Sequence, residues 1–285
     1  MTSLATSWQA LTRAVAPDEW RRNIVVATDG RAPSEAALVA AQELAGHAPF
    51  GVISVLAEAA SKDRIAGWMP SPETSDAHRT MVAAHTRRVL GESSDFWVEV
   101  RRGYPPAALT SFAELHRASL LVVGLGRTKV IDRLLGDESA LRIARMTQTP
   151  LYAVAPGCAT HARRLVIGTD LSATSMRAAQ LAIAMADPRA DVTLAHVHTP
   201  AGRFTPEDRL RRNAELLQER FSGRVTPVDL TGDAASELLG LAASVEADAI
   251  AIGAHGYGDA QRCTLGPVAT RVVRCAPCSV LLTPS

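Results

Sequence analysis

Apolar residues recur along this chain in two alternating rhythms. Short unbroken runs rich in Val, Ile, Leu and Ala are separated by longer stretches whose apolar positions fall every three or four residues. The first rhythm is that of a strand buried on both faces, the second that of an amphipathic helix. The pattern predicts strands near 23–28, 50–56, 96–101, 119–124 and 150–154, with helices near 33–45, 74–90, 105–117 and 137–146. It then predicts strands near 163–169, 191–197, 223–230, 249–253 and 279–283, with helices near 173–186, 206–220, 233–246 and 267–275. Regular strand–helix alternation with continuous apolar strands implies a parallel sheet covered on both faces, and right-handed crossovers make it doubly wound.

The two halves repeat each other. Asn23-Ile24-Val25-Val26-Ala27-Thr28-Asp29-Gly30 answers to Arg164-Leu165-Val166-Ile167-Gly168-Thr169-Asp170. Leu120-Leu121-Val122-Val123-Gly124-Leu125-Gly126 answers to Ala249-Ile250-Ala251-Ile252-Gly253-Ala254-His255-Gly256, each with a further glycine beyond it, Gly136 and Gly266. A repeat of this length reads as two domains rather than a solenoid. The expected division is an N-terminal extension over 1–20, a first domain over 21–156 and a second over 162–285. In the extension Trp8, Leu11 and Val15 fall at helical spacing. The linker Pro156-Gly157-Cys158-Ala159-Thr160-His161 is too short to hold the domains far apart. The first half alone carries an insertion after its second strand, Ala57 to Ser75, containing Gly67-Trp68-Met69-Pro70.

Composition narrows the function classes. The 285 residues are 47% hydrophobic with a net charge of +1, ordinary for a soluble protein of about two domains. Near-neutral charge argues against nucleic acid as a partner, and 4% aromatics argue against a stacking platform for single strands. No apolar stretch reaches the ~18 residues a transmembrane helix needs, and no signal peptide is read at the N-terminus, so the expectation is a cytoplasmic protein. Four cysteines do not make a disulfide framework. Abundant Ala and Arg with scarce Lys point to a GC-rich bacterial source.

The chemistry should sit where the strand order reverses, at the carboxyl ends of the first and fourth strands of each half. A carboxylate, Asp29 or Asp170, would there meet a glycine-rich turn leading into a helix N-terminus. Glycine lets the backbone approach a ligand, and open N–H groups suit phosphate. A plainer reading makes the aspartates caps of the following helices.

These residues together resemble the universal stress protein family in its tandem form. Members that bind ATP carry Gly, two residues, Gly, nine residues, Gly, then Ser or Thr. The second half matches with Gly253, Gly256 and Gly266, along with Asp170, His196-Val197, Gly232 and Ala276-Pro277-Cys278. The first half matches with Asp29, Gly103-Tyr104-Pro105, Gly126 and Gly136. The resemblance covers nearly everything from 22 to 284. It implies a five-stranded parallel sheet per domain in the order 3-2-1-4-5, domains paired through their last strands as an internal pseudo-dimer, and a stress-related regulatory role rather than chemical turnover. A homodimer and an unidentified protein partner are compatible with it. It further implies that Asp170 and Val197 lie near an adenosine, and that Gly253, Gly256 and Gly266 wrap the ribose and phosphates; His255, inside the glycine loop, is placed to touch such a ligand without catalysing anything. Mg2+ would enter only with bound ATP.

Two departures weaken that site. The Ser/Thr position is Pro267 in the second half and Asp137 in the first, and Gly124 and Gly126 are separated by one residue instead of two. Pro267 supplies neither an N–H nor a hydroxyl. Charge-assisted hydrogen bonds are worth about 1.5–3 kcal/mol each, so losing two costs about 3–6 kcal/mol, roughly two to four decades of affinity. Pro267 is still well suited to the first residue of a helix. A carboxylate at Asp137, about 4 Å from a phosphate charge, would cost roughly 1–4 kcal/mol; its preferred reading is a helix N-cap. The first half is therefore expected not to bind ATP, and the second to bind an adenine nucleotide weakly. An interaction scaffold without nucleotide is the alternative. A slow ATPase is a third reading, which would have only His255 or Asp170 as base.

Other constellations carry less. Cys275-Ala276-Pro277-Cys278 ends a helix, where the dipole raises rather than lowers a thiol pKa, so no redox or metal role is read. His196 and His198 alternate on a strand and, with His255, read as polar residues beside the crevice rather than metal ligands.

Overall fold

The computed structural model describes residues 19–30, 32–57, 72–125, 136–198, 207–255 and 265–284. The proposed helix around Trp8, the Trp68 segment, Gly126, Gly256 and Cys263 lie outside them. Ten strands and eight helices alternate among the described residues. The first half runs β1 (Ile24–Ala27), α1 (Ala32–Ala45), β2 (Phe50–Ala57), α2 (Pro72–Leu90), β3 (Phe96–Gly103), α3 (Pro105–Leu115), β4 (Leu120–Gly124), α4 (Gly136–Met146) and β5 (Leu151–Val154). The second half runs β6 (Arg164–Thr169), α5 (Ala173–Met185), β7 (Asp191–His198), α6 (Glu207–Gln218), β8 (Arg224–Thr231), α7 (Ala234–Ser244), β9 (Ala249–Gly253), α8 (Pro267–Cys275) and β10 (Ser279–Thr283).

All ten strands join one sheet, ordered β3-β2-β1-β4-β5-β10-β9-β6-β7-β8. Within each half the strands are parallel in the order 3-2-1-4-5. The halves meet where β5 and β10 pair antiparallel, Tyr152 opposite Leu281. That antiparallel join gives the chain an internal two-fold relation. One core covers each face of the sheet. Leu38, Leu44, Val82, Ile183 and Leu217 from α1, α2, α5 and α6 fill one side. Leu109, Leu141, Leu238 and Val272 from α3, α4, α7 and α8 fill the other. Both cores run through the seam, because β5 and β10 send alternate residues to each. Tyr152 and Leu281 go to the first core; Ala153, Val280 and Leu282 go to the second.

Burial at the seam has an electrostatic consequence. Loss of solvation pushes the Tyr152 phenol up to about 12, although a hydrogen bond with Ser279 pulls the other way. Fully buried Ser279 also accepts the Ala155 N–H across the seam at 3.1 Å.

Candidate functional site

Strands β1 and β6 each have a neighbour from later in the chain on one side and from the next crossover on the other. Crossovers leave in opposite directions there, which opens a crevice at the carboxyl ends of β6 and β9, and of β1 and β4. In the second half the turn after β6 is tightly held. Thr169 Oγ1 lies 2.9 Å from Ser175 Oγ and accepts the Leu171 N–H at 2.9 Å. Asp170 Oδ1 accepts the Ser172 N–H at 3.0 Å. Leu171 sits at φ 62°, unusual for a residue with a Cβ, and its carbonyl accepts from Arg209 Nη2 of α6 at 3.1 Å. The first half repeats the device. Thr28 Oγ1 lies 2.8 Å from Ser34 Oγ and accepts the Gly30 N–H, with Gly30 at φ 73°. There Ser34 Oγ also donates to Asp29 Oδ1 at 3.0 Å.

These contacts correct the capping reading of the aspartates. Ser172, not Asp170, is the N-cap of α5, its side chain accepting from the Ser175 N–H. Asp170 instead holds the turn that leads there. The preferred reading of Asp137 is corrected as well. The helix already begins at Gly136, so Asp137 is its second residue and not its N-cap.

Across the crevice, β9 ends at Gly253. A Cβ there would lie 3.3 Å from the His255 carbonyl, tight enough to push the turn outward. The Ala254 N–H donates to the Thr283 carbonyl at 2.8 Å, and the Gly266 N–H donates to the Ala254 carbonyl at 2.9 Å. The stretch from 254 to 266 is therefore pinched shut at its base, directly beside the end of β9. Gly266 is the N-cap of α8 and Pro267 its first residue, as its fixed φ favours. The Gly266 N–H is already used, and Pro267 has none. The helix start thus offers a ligand the N–H groups of Val268 and Ala269, since Thr270 already donates to the Gly266 carbonyl.

Val197 projects from β7 toward the core under α7 and α8. His196 and His198 take the opposite face. His196 Nδ1 donates to the Thr169 carbonyl at 2.8 Å, and His198 Nδ1 donates to Asp229 Oδ1 at 3.1 Å. Both rings are engaged as structural polar groups, and no cluster of three or more potential metal ligands occurs among the described residues. His255 is partly buried beside Gly253.

Sequence reasoning missed a strut between the third and fourth helices of each half. Arg271 of α8 reaches Asp233, the N-cap of α7, at 2.6 Å. At the matching place Arg142 of α4 donates to the Tyr104 hydroxyl at 3.0 Å, just before α3. Hydrogen bonds from the Ser236 hydroxyl and backbone hold the Asp233 carboxyl below the usual carboxylate range, with Arg271 adding to them. The signal was a shared position in the repeat, which aligning the halves brings out. The Thr–Ser interval of the turns, Thr28 to Ser34 and Thr169 to Ser175, was legible the same way.

A concavity of about 820 Å³ lies at the other end of the strands, lined by Glu43, Thr160, His161, Arg163, Arg164 and Asp248 among others. It borders the amino ends of β6 and β7, away from the crevice. Asp248 is satisfied there by the Arg163 and Arg164 N–H groups. In an α/β sheet the ligand end is the carboxyl end, so the crevice at Asp170 and Gly253 is the candidate site.

A profile of the universal stress protein family matches residues 21–155 and again 161–284. Among solved structures, a universal stress protein from Archaeoglobus fulgidus DSM 4304 superposes with a TM-score of 0.69 at 16% identity, covering 93% of this chain and 99% of its own. A putative universal stress protein from Pseudomonas aeruginosa UCBPP-PA14 gives 0.64 at 13% identity, covering 94% and 95%. At such identities the superpositions establish the fold alone. No curated protein sequence matches the chain.

Proposed function

The chain belongs to the universal stress protein family, in tandem form, and we propose that it is a regulator that takes an adenine nucleotide weakly in its second domain. Family membership supports a stress-response role. Among the described residues no helix is long and apolar enough to cross a membrane.

One observation carries the nucleotide reading. The end of β9 lies against the start of α5, a Cβ at Gly253 falling within 4 Å of Thr174 and Ser175, so the Asp170 turn and the base of the 254–266 loop stand side by side at the reversal point, which supports a ligand bound between them. In this reading Asp170 and Val197 hold the adenosine, while Gly253, His255, Gly256 and Gly266 border the ribose and phosphates. The donors at the start of α8 suit a short phosphate chain better than a triphosphate, because Pro267 contributes none. Mg2+ would come only with the phosphates of bound ATP. Binding would order the loop, and a partner protein would read that state. The first domain, with Asp137 in the first turn of α4, serves as the structural half of the pseudo-dimer.

The Pro267 geometry also favours a second reading, an interaction scaffold that has given up nucleotide. Calorimetric titration with ATP, ADP, AMP and adenosine separates the two. Saturable binding at one site per chain, lost in Asp170→Ala, supports the sensor. No heat and no thermal shift at millimolar ligand leaves the scaffold.

A further inference from the structure

The ten-stranded sheet has two outer edges, and they are built differently. At one end lies β8, with Pro227 in its middle. Arg224 donates its N–H inward to Ala190 O. Because backbone groups alternate along a strand, Pro227 then faces outward, and its missing donor blunts that edge. Edge prolines commonly serve to prevent further pairing.

At the other end lies β3, Phe96-Trp97-Val98-Glu99-Val100-Arg101-Arg102-Gly103, with no proline. Among the described residues it pairs only with β2. The Phe50 N–H donates to the Asp95 carbonyl. The same alternation then turns Trp97, Glu99 and Arg101 inward, while Val98, Val100 and Arg102 present N–H and C=O groups outward.

We propose that this edge pairs antiparallel with the same edge of a second copy, about a two-fold axis at Val100. The sequence is complementary to itself in that register. Val100 meets the second copy's Val100, and Val98 meets its Arg102; all of these groups point outward, so they form hydrogen-bonded pairs. Glu99 then stands opposite the second Arg101, and Arg101 opposite the second Glu99. These are non-hydrogen-bonded pairs, whose side chains approach most closely. Glu99 and Arg101 already touch within one chain at 3.3 Å, so dimerisation closes a ring of alternating charges.

The same register sets Trp97 opposite the second copy's Gly103. Trp97 is 40% exposed, although its ring packs on Phe112 and His116. That ring also lies over Gly51 of its own β2, so it stays with its own sheet, and Gly103, where a Cβ would meet nothing within 4 Å, lets the second strand come close beside it. The nearest registers that keep the hydrogen-bonding parity lie two residues away and set Arg101 against Arg101 or Glu99 against Glu99, so only this one forms the charge pairs.

The test is the mass in solution, by light scattering on a sizing column and by sedimentation, at micromolar concentration. The intact protein is expected to run as two 30.2 kDa chains. Val100→Pro removes only an outward-facing N–H and should run as one chain with an unchanged circular dichroism spectrum. Glu99→Arg and Arg101→Glu each set like charges opposite one another and should weaken the dimer by about tenfold or more. The double variant restores the pairs and should restore the dimer, which decides the matter even if Val100→Pro does not fold. A monomeric intact protein overturns the proposal and leaves the edge to a strand of another protein. A dimer indifferent to all of these changes overturns it too, by placing the contact elsewhere.

Discussion

Replacing Pro267 by serine is expected to return affinity for phosphate to the second domain. The structure isolates the effect. The Gly266 N–H is held by the Ala254 carbonyl, and the Thr270 N–H by Gly266, so the helix start keeps its place when residue 267 changes. Pro267 is exposed, so serine creates no cavity. The substitution supplies one backbone N–H at the helix start and one hydroxyl beside it. At about 1.5–3 kcal/mol per charge-assisted hydrogen bond, two such bonds amount to about 3–6 kcal/mol, or roughly two to four decades in Kd for ATP. Adenosine has no phosphate and should bind unchanged. Losing proline's restriction of the unfolded chain should lower stability by only about 0.4–1 kcal/mol. Calorimetric titration of both proteins with ATP and adenosine measures the difference directly. Equal ATP affinities would refute the assignment of phosphates to the start of α8. A matching gain for adenosine would show that serine acts through some other contact.

Thr169→Val should cost about 1–3 kcal/mol in urea unfolding, because the buried Leu171 N–H loses its acceptor and the Ser175 hydroxyl keeps only Ser172; it should also weaken nucleotide binding by loosening the Asp170 turn, and an unchanged midpoint would argue that water replaces the threonine. Gly51→Ala should drive Trp97 from its place, since the new Cβ would come within 2.5 Å of the indole ring. A loss of about 1–3 kcal/mol with altered tryptophan emission is expected, and an unaltered spectrum would count against that packing. Tyr152 should remain protonated until about pH 12, visible as one phenol missing from an absorbance titration of the folded protein. The unfolded chain ionises near pH 10, so it holds fewer protons than the folded one above that point, and stability should fall between about pH 10 and 12, by roughly 3 kcal/mol. Phenylalanine at 152 should remove that part of the alkaline loss.

Much of the architecture was readable because the pattern of apolar positions is local. Runs such as Leu120–Val123 and Ala249–Ile252 can only be strands covered on both faces, and each occurs at its expected place. Helix limits agreed to within a few residues wherever the stop is chemical, as at Pro105 and Pro267. The aspartate caps misled for an equally local reason. Asp170 and Ser172 are both good capping residues, and only the φ of 62° at Leu171 moves the helix start two residues on.

Two α/β domains, each with an aspartate after its first strand and glycines after its fourth, follow from sequence alone, because hydrophobic period and turn chemistry act over a few residues. The tertiary structure decided what depends on register between distant segments. It set Arg271 against Asp233, laid Tyr152 beside Ser279 across an antiparallel seam, and turned Pro227 outward on one edge while leaving Val100 bare on the other. Such contacts join residues far apart in the chain, and nothing in the local pattern specifies which of many compatible side chains will meet. That is fixed only when the strands choose neighbours and the helices settle onto one core.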